Sequence, residues 1–304
     1  MRTILYLCFG GGGYPDELVH AVLAARHTLG ADRDSYRIVV YTDDGSPFRD
    51  LPVHIETISR DTLARWAGPF DHMFRRKAVA IREAMKACHG ELVYCDTDTY
   101  FLKHPGRVFE RIGPGRSVMH VKEGTPASVH AEDLSAVLRQ HTFTTRTGER
   151  WNVSPETPIL NAGVIGLHQT DFALVDEVIH LIDQICPHLP TYFGTEQFSF
   201  SACLTERTHV STSDDVIHHY WLPTPRARFH ALLARTLHDP SLGSYEDRFR
   251  RILPLREIVV DRAESLQRRG YVRLWHAAHR IGIDRALGSL RRFIGHSARR
   301  VSTI

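Results

Sequence analysis

The sequence lacks several features that would assign its chemistry quickly. Its five cysteines, Cys8, Cys88, Cys95, Cys186 and Cys203, are scattered, odd in number and without a C-x-x-C pair. This argues against a zinc site and a disulfide framework, makes a reducing cytosol the expected compartment, and makes burial as small apolar side chains the expected fate of the thiols. No stretch approaches the roughly 20 continuous apolar residues of a membrane span. There is no internal repeat and no low-complexity tract. Lysine is scarce, with four residues against thirty-four arginines and none after Lys122. Gly10 to Gly13 do not form G-x-G-x-x-G, and no acidic residue follows at the dinucleotide spacing, which disfavours a hydride-transfer enzyme.

What is present is an ordinary globular composition over 304 residues, 42% hydrophobic and 24% charged, enough for one large core or two modest ones and unlike a disordered chain. The net charge of +3 is unevenly spread. From Arg262 onward ten arginines face only Glu264 and Asp284, so the tail is a distinct electrostatic object. The opening Met1 to Phe9 has the look of a signal start, but it runs into four glycines and a polar helix opening, so a first β-strand explains it better.

Strand and helix signals alternate through the first two hundred residues. Thr3–Phe9, Arg37–Thr42 and Val53–Ile58 read as strands. Helices are predicted from Pro15 and Asp16, with Leu18, Val19, Val22, Leu23 and Leu29 at helical spacing, and over Phe74–Cys88, with Ala78, Ile81 and Met85 on one stripe. Arg116–Val121 and Ala162–Leu167 are later strands. Between them lies a polar insertion, Lys122–Thr157, with a helix around Ala131–Gln140. Asp171–Cys186 reads as a helix opened by an aspartate cap, Thr195–Leu204 as another, and Val216–Ile217 as a last strand; beyond Pro225 the chain reads as helical. This order implies an α/β fold, a mostly parallel sheet with helices on both faces. Residues 1–230 form the expected catalytic domain and residues 231–304 a helical, arginine-rich extension.

The most informative segment is Glu91 to Phe101, where the apolar run Leu92–Cys95 delivers Asp96 and Asp98 one residue apart. Ligands of open α/β sheets collect beyond the carboxyl ends of strands. In an extended segment residues i and i+2 share a face, so both carboxylates can approach one hard cation. An isolated D-x-D is more often a polar turn; the preceding strand is what raises it to a candidate site.

Four further stretches accompany it: the opening strand and loop, Leu160 Asn161 Ala162 Gly163 Val164, Phe193 Gly194 Thr195 Glu196 Gln197, and Val216 Ile217 His218 His219 Tyr220 Trp221. Together and in this order they resemble nucleotide-sugar glycosyltransferases of the GT-A fold, nearest the retaining group that includes glycogenin and the bacterial lipopolysaccharide galactosyltransferases. The resemblance covers roughly residues 1–230. It implies transfer of a hexose from a nucleoside-diphosphate sugar, with a UDP-sugar favoured, to a glycan, lipid-linked or other hydroxyl acceptor, assisted by Mn²⁺ or Mg²⁺. The cation would neutralise charge on the departing diphosphate.

By this resemblance Asp96 contacts the metal and the ribose side of the donor, Asp98 ligates the metal, and a late histidine completes the set, a mixture of oxygen and imidazole that suits Mn²⁺ somewhat better. Alternation along a strand lets only one of His218 and His219 face the ion, and His218, following the apolar pair, is slightly favoured. Lys77, and more weakly Arg75, lie where related enzymes carry a base that reaches the donor phosphates; a solvated helix face is the competing reading. Phe9, Gly10 and Tyr14 are expected to wall the nucleoside pocket, and Asp43 either to accept from base or ribose or to cap the Gly45 turn. Asn161, Glu196 and Gln197 are the sugar-facing candidates. The related enzymes carry aspartate where this chain has Glu196, so Glu196 or Gln197 would stabilise the sugar cation in a retaining reaction, slightly favoured, and Glu196 would act as base in an inverting one. The closing lysine motif of the family is missing, so Arg226 or Arg228 would take over the diphosphate clamp.

The tail from Tyr271 to Arg300 interleaves apolar residues with seven arginines. Its spacing fits one or two amphipathic helices, either packed on the domain or lying on an anionic membrane, which would make the protein peripheral at the inner face of the membrane. Nucleic-acid binding is disfavoured because no recognition motif accompanies the charge. Two other functions start from the same residues. Asp96 Thr97 Asp98 Thr99 resembles the D-x-D-x-T motif of haloacid dehalogenase-like phosphatases, with Asp96 as nucleophile, although that family places it on the first strand. The third is a sugar-nucleotide-binding or glycan-binding module without turnover.

Overall fold

The computed structural model describes residues 1–128, 131–190, 192–256 and 259. Strand β1 (Arg2–Cys8) is followed by helix α1 (Tyr14–Leu29), strands β2 (Tyr36–Thr42) and β3 (His54–Thr57), helices α2 (Arg60–Ala67) and α3 (Arg75–Ala87), and strands β4 (Glu91–Cys95) and β5 (Thr99–Phe101). After the short α4 (Gly106–Phe109) come β6 (Arg116–Met119), β7 (Lys122–Gly124), α5 (Glu132–Gln140), β8 (Ile159–Leu160) and β9 (Val164–His168). The chain continues through α6 (Phe172–Ile185), α7 (Thr195–Arg207), β10 (His209–Thr212), β11 (Ile217–His219) and α8 (Pro223–Leu237). The architecture is the expected mixed α/β class. The amphipathic tail over Tyr271–Arg300 lies outside the described residues.

The main sheet has seven strands in the order β10-β6-β9-β4-β1-β2-β3. All neighbours are parallel except those of β9, which runs antiparallel to both β4 and β6. Its central strands are buried apolar runs: Ile4, Leu5 and Tyr6 of β1, Val93 of β4 and Ile165 and Leu167 of β9 are fully shielded. Strands covered on both faces need this continuous apolar character rather than alternation. Helix α6 packs on α3 and α7. All five cysteines are buried, the fate expected of small apolar side chains.

One reversal positions the site. Because β9 is antiparallel to β4, Val164 at its start is paired with Cys95 at the end of β4, so the loop entering β9 arrives where Asp96 leaves the sheet. A second, two-stranded sheet pairs β11 antiparallel to β5, with His219 opposite Thr99 and His218 opposite Tyr100.

By internal contacts the chain forms two compact units. Of the described residues, the first unit holds those within 1–10 and 21–219, and the second those within 11–20 and from Tyr220 on. In the second, Glu17 is fully buried and accepts a two-pronged pair of hydrogen bonds from the Arg226 guanidinium at 2.7 and 2.8 Å, with His230 as a further close partner. Among the described residues no helix is long and apolar enough to cross a membrane.

Two local expectations are corrected. The Asp171 side chain makes no capping bond to α6; a short 3₁₀ turn, Gln169–Asp171, precedes that helix, and His168 accepts from Thr170 N there instead. The aspartate motif is not extended either, because the chain turns at Thr97–Asp98, and the Thr99 hydroxyl donates to the Asp96 carbonyl at 2.7 Å across the turn.

Candidate metal centre

Asp96 is the first residue beyond β4. Its backbone N–H donates to the Gly163 carbonyl at 2.8 Å, joining the two loops. Its carboxylate accepts from the Tyr94 hydroxyl at 2.7 Å and from Lys77 Nζ at 3.1 Å. The turn after it, rather than strand alternation, carries the Asp98 carboxylate to the same place. There Asp98 Oδ1 lies 3.2 Å from His219 Nε2, with both residues about 5% exposed.

Asp96, Asp98 and His219 each offer one ligand atom, and these atoms all lie within 4.8 Å of one another. Two carboxylates and one imidazole form a set that could hold a divalent cation. His219 Nδ1 is engaged by Asn161 Oδ1 at 2.8 Å, so Nε2 is the nitrogen presented to Asp98, and neighbouring ligand atoms around such a cation lie about 3 Å apart. The lean toward His218 is therefore corrected. Pairing with β5 puts the two histidines on opposite faces of β11, and the His218 ring lies against the Tyr100 ring at 5.1 Å. His120 stands edge-on to His219 at 5.4 Å, and burial, followed by the proximity of His219, lowers its pKa to about 4.

Behind the triad lies a buried ion cluster. Lys77, at the third position of α3, places Nζ 3.1 Å from each of Asp96 Oδ2, Glu196 Oε1 and the Ala162 carbonyl. Burial disfavours the Lys77 charge, but Asp96 and then Glu196 outweigh it and the net pKa is raised. Burial pushes the Glu196 carboxyl up to about 7 against the pull of Lys77. Lys77 is thus no solvated helix residue, and Glu196, in the first turn of α7, is turned inward.

Asn161 precedes β9 and is also buried. Its Oδ1 accepts from Gly163 N at 2.9 Å, and its Nδ2 donates to Glu123 Oε1 at 2.9 Å. Gln197 Nε2 donates to the other oxygen, Glu123 Oε2, at 2.8 Å. Ser201 on α7 fixes β8 by accepting from Leu160 N at 2.9 Å, while its hydroxyl donates to the Gln197 carbonyl at 2.7 Å. The structure therefore gathers Lys77, Asp96, Asp98, Asn161, Glu196, Gln197 and His219 at one end of the sheet.

The remaining candidates have other surroundings. Gly10, at a left-handed φ of 79°, donates its N–H to the Asp43 carboxylate at 3.2 Å, so Asp43 ties the first loop to the end of β2. The Phe9 ring faces the Arg76 guanidinium at 5.3 Å. Arg75 grips Asp183 through two bonds of 2.7 and 2.9 Å and also donates to the Trp66 carbonyl. In the second unit Tyr14 lies under the Arg226 guanidinium at 5.2 Å, and Arg228 is exposed.

Sequence reasoning missed Glu123, Tyr94 and His120. Glu123 sits in a polar insertion where no local pattern distinguishes it, Tyr94 reads as one more apolar strand residue, and His120, just past β6, lies within a segment read simply as strand. Gly163 was noted only as part of a motif, although a Cβ there would stand 2.3 Å from the His219 ring. No protein-family model matches the chain, and no curated protein matches it.

Proposed function

We propose that this chain is a metal-dependent glycosyltransferase that moves a hexose from a nucleoside-diphosphate sugar to a hydroxyl group of a glycan or lipid-linked acceptor. The observation that carries the reading is the convergence of Asp96, Asp98 and His219 just past the carboxyl end of a central parallel strand. Ligands of α/β sheets bind there. A bound Mn²⁺ or Mg²⁺ supplies Lewis-acid stabilisation of the diphosphate as it leaves. Asp96, Asp98 and His219 would hold that ion. Uridine diphosphate is the first donor nucleotide to test, on the strength of the motif resemblance.

The surroundings bear on stereochemistry. Glu196 is 3% exposed and paired to Lys77, a poor position for deprotonating an incoming hydroxyl. Gln197, more accessible and held by Glu123, is better placed to meet a sugar, which favours retention. Contact of the basic segment after Arg262 with anionic lipid belongs to the same proposal, as the route by which a lipid-linked acceptor would be met.

Thermal-shift measurements with a panel of nucleoside diphosphates, with and without Mn²⁺, test the reading. The expected result is stabilisation by one nucleotide that requires the metal, about 2.7 kcal/mol at a hundredfold excess over Kd, and its loss in Asp98→Asn with the fold retained. Hydrolysis of p-nitrophenyl phosphate with no nucleotide shift would replace this reading with the phosphatase one. Nucleotide binding with neither transfer nor release of hexose would leave a binding module.

A further inference from the structure

We infer that Glu123 and Asn161 form a positioning pair that fixes which ring nitrogen of His219 is offered to the cation; this rests on the metal-centre reading above. The argument starts from a donor whose role is not negotiable. The backbone N–H of Gly163 can only donate, and it donates to one end of the Asn161 amide at 2.9 Å. That end is therefore the oxygen, and the other, 2.9 Å from Glu123 Oε1, is the NH₂ group.

The same oxygen lies 2.8 Å from His219 Nδ1, so Nδ1 carries a proton and donates it. Nε2 is then the nitrogen left to share a cation with Asp98, whose Oδ1 lies 3.2 Å away; with a metal bound between them it would present its lone pair. Reversing the Asn161 amide would set its NH₂ against the Gly163 N–H and against Nδ1–H. The imidazole would relieve this only by moving its proton to Nε2, where it blocks ligation. Glu123 opposes the reversal, because a carboxylate accepts and cannot donate. The NH₂ end stays on its side.

Two observations argue that this arrangement is built rather than incidental. Asn161 and His219 are both buried, so each hydrogen bond is made in low dielectric and is costly to lose. Glu123 also receives Gln197 Nε2 on its second oxygen. One carboxylate thereby sets the amide that faces the metal ligand and the amide proposed to face the sugar.

Mn²⁺ affinity in the absence of nucleotide, measured by electron paramagnetic resonance of the free ion, tests the pair. Histidine ring ¹⁵N shifts, with His219 assigned by His219→Gln, report the tautomer. Glu123→Ala, at an exposed position, is expected to weaken Mn²⁺ binding about three- to tenfold and to add a population with no proton on Nδ1. Glu123→Gln, which still offers an oxygen to Asn161, is expected to restore both readouts. Asn161→Ala should lose tenfold or more. Asn161→Asp keeps an acceptor for Gly163 N–H and Nδ1–H but sets a second carboxylate oxygen against Glu123, so it is combined with Glu123→Gln, and that double variant should keep the Nδ1–H tautomer. Wild-type affinity and an unchanged tautomer in Glu123→Ala and Asn161→Ala would overturn the pair while leaving the metal centre standing. If the wild-type chain itself binds no Mn²⁺, the metal centre falls and the pair falls with it.

Discussion

Gly163 and His219 occupy space that admits no third atom: a Cβ built on Gly163 would lie 2.3 Å from both Nδ1 and Cε1 of the imidazole. The absence of a side chain at 163 is what lets the loop before β9 and the end of β11 close on one another. Gly163→Ala is expected to displace the His219 ring, lower Mn²⁺ affinity about tenfold and cost roughly 1–3 kcal/mol of stability as an overpacked site. Metal titration together with chemical denaturation checks both parts. Unchanged affinity would mean that the ring is free to move aside.

Replacing each adjacent histidine separates their roles. His219→Gln should weaken Mn²⁺ binding by about tenfold or more, whereas His218→Gln should change it less than about threefold, since His218 packs on Tyr100 on the other face of β11. Direct metal titration of the two variants decides it, and the reverse order would return the site to the ligand favoured from sequence.

Lys77 stands between two carboxylates, the half-buried Asp96 and the buried Glu196. Removing it leaves uncompensated charge in a buried place, so Lys77→Ala is expected to lose about 3–5 kcal/mol. Adding Glu196→Gln removes one of the stranded charges and should recover a substantial part of that loss. Urea denaturation of the two single variants and the double variant gives the coupling; strictly additive effects would show that the two side chains do not interact.

His20, fully buried and in ring contact with Phe229 at 4.9 Å and Phe249 at 5.7 Å, provides a pH test in the second unit. Burial, reinforced by the charge of Arg256, holds its pKa well below the usual histidine value. The unfolded chain therefore binds this proton more readily. The stability contributed by neutral His20 is fully present above about pH 6.5 and falls as pH drops below it, by at most about 1.4 kcal/mol per pH unit. His20→Leu should flatten that part of the stability profile in denaturation measured between pH 5 and 7.5. An unaltered slope would assign the acid sensitivity to other groups.

Much of the fold was legible because its cues are local. The apolar runs Ile4–Leu7 and Leu92–Cys95 marked buried strands, and the stripe of Ala78, Ile81 and Met85 marked α3. Asp96 and Asp98 were found for the same reason, as acids directly following such a run. The reason given for their convergence was wrong in detail, since a turn at Thr97–Asp98 and not an extended segment brings them together. The choice between His218 and His219 was out of reach, because a shift of one residue in the register of β11 against β5 exchanges the faces. The partners of Arg75 and Arg226 were equally hidden, since Asp183 and Glu17 lie 108 and 209 residues away along the chain.

By itself, the order of residues determined the layered α/β class and the pair of acids at the end of β4, because period and composition over five to fifteen residues decide which segments are buried strands and which are amphipathic helices. Only the tertiary structure decided which groups surround those acids. His219 reaches Asp98 through the pairing of β11 with β5, Gly163 reaches Asp96 through the antiparallel insertion of β9, and Lys77 reaches Asp96 from α3. Such long-range strand pairing follows from how the whole sheet closes its core, and no single segment carries that information.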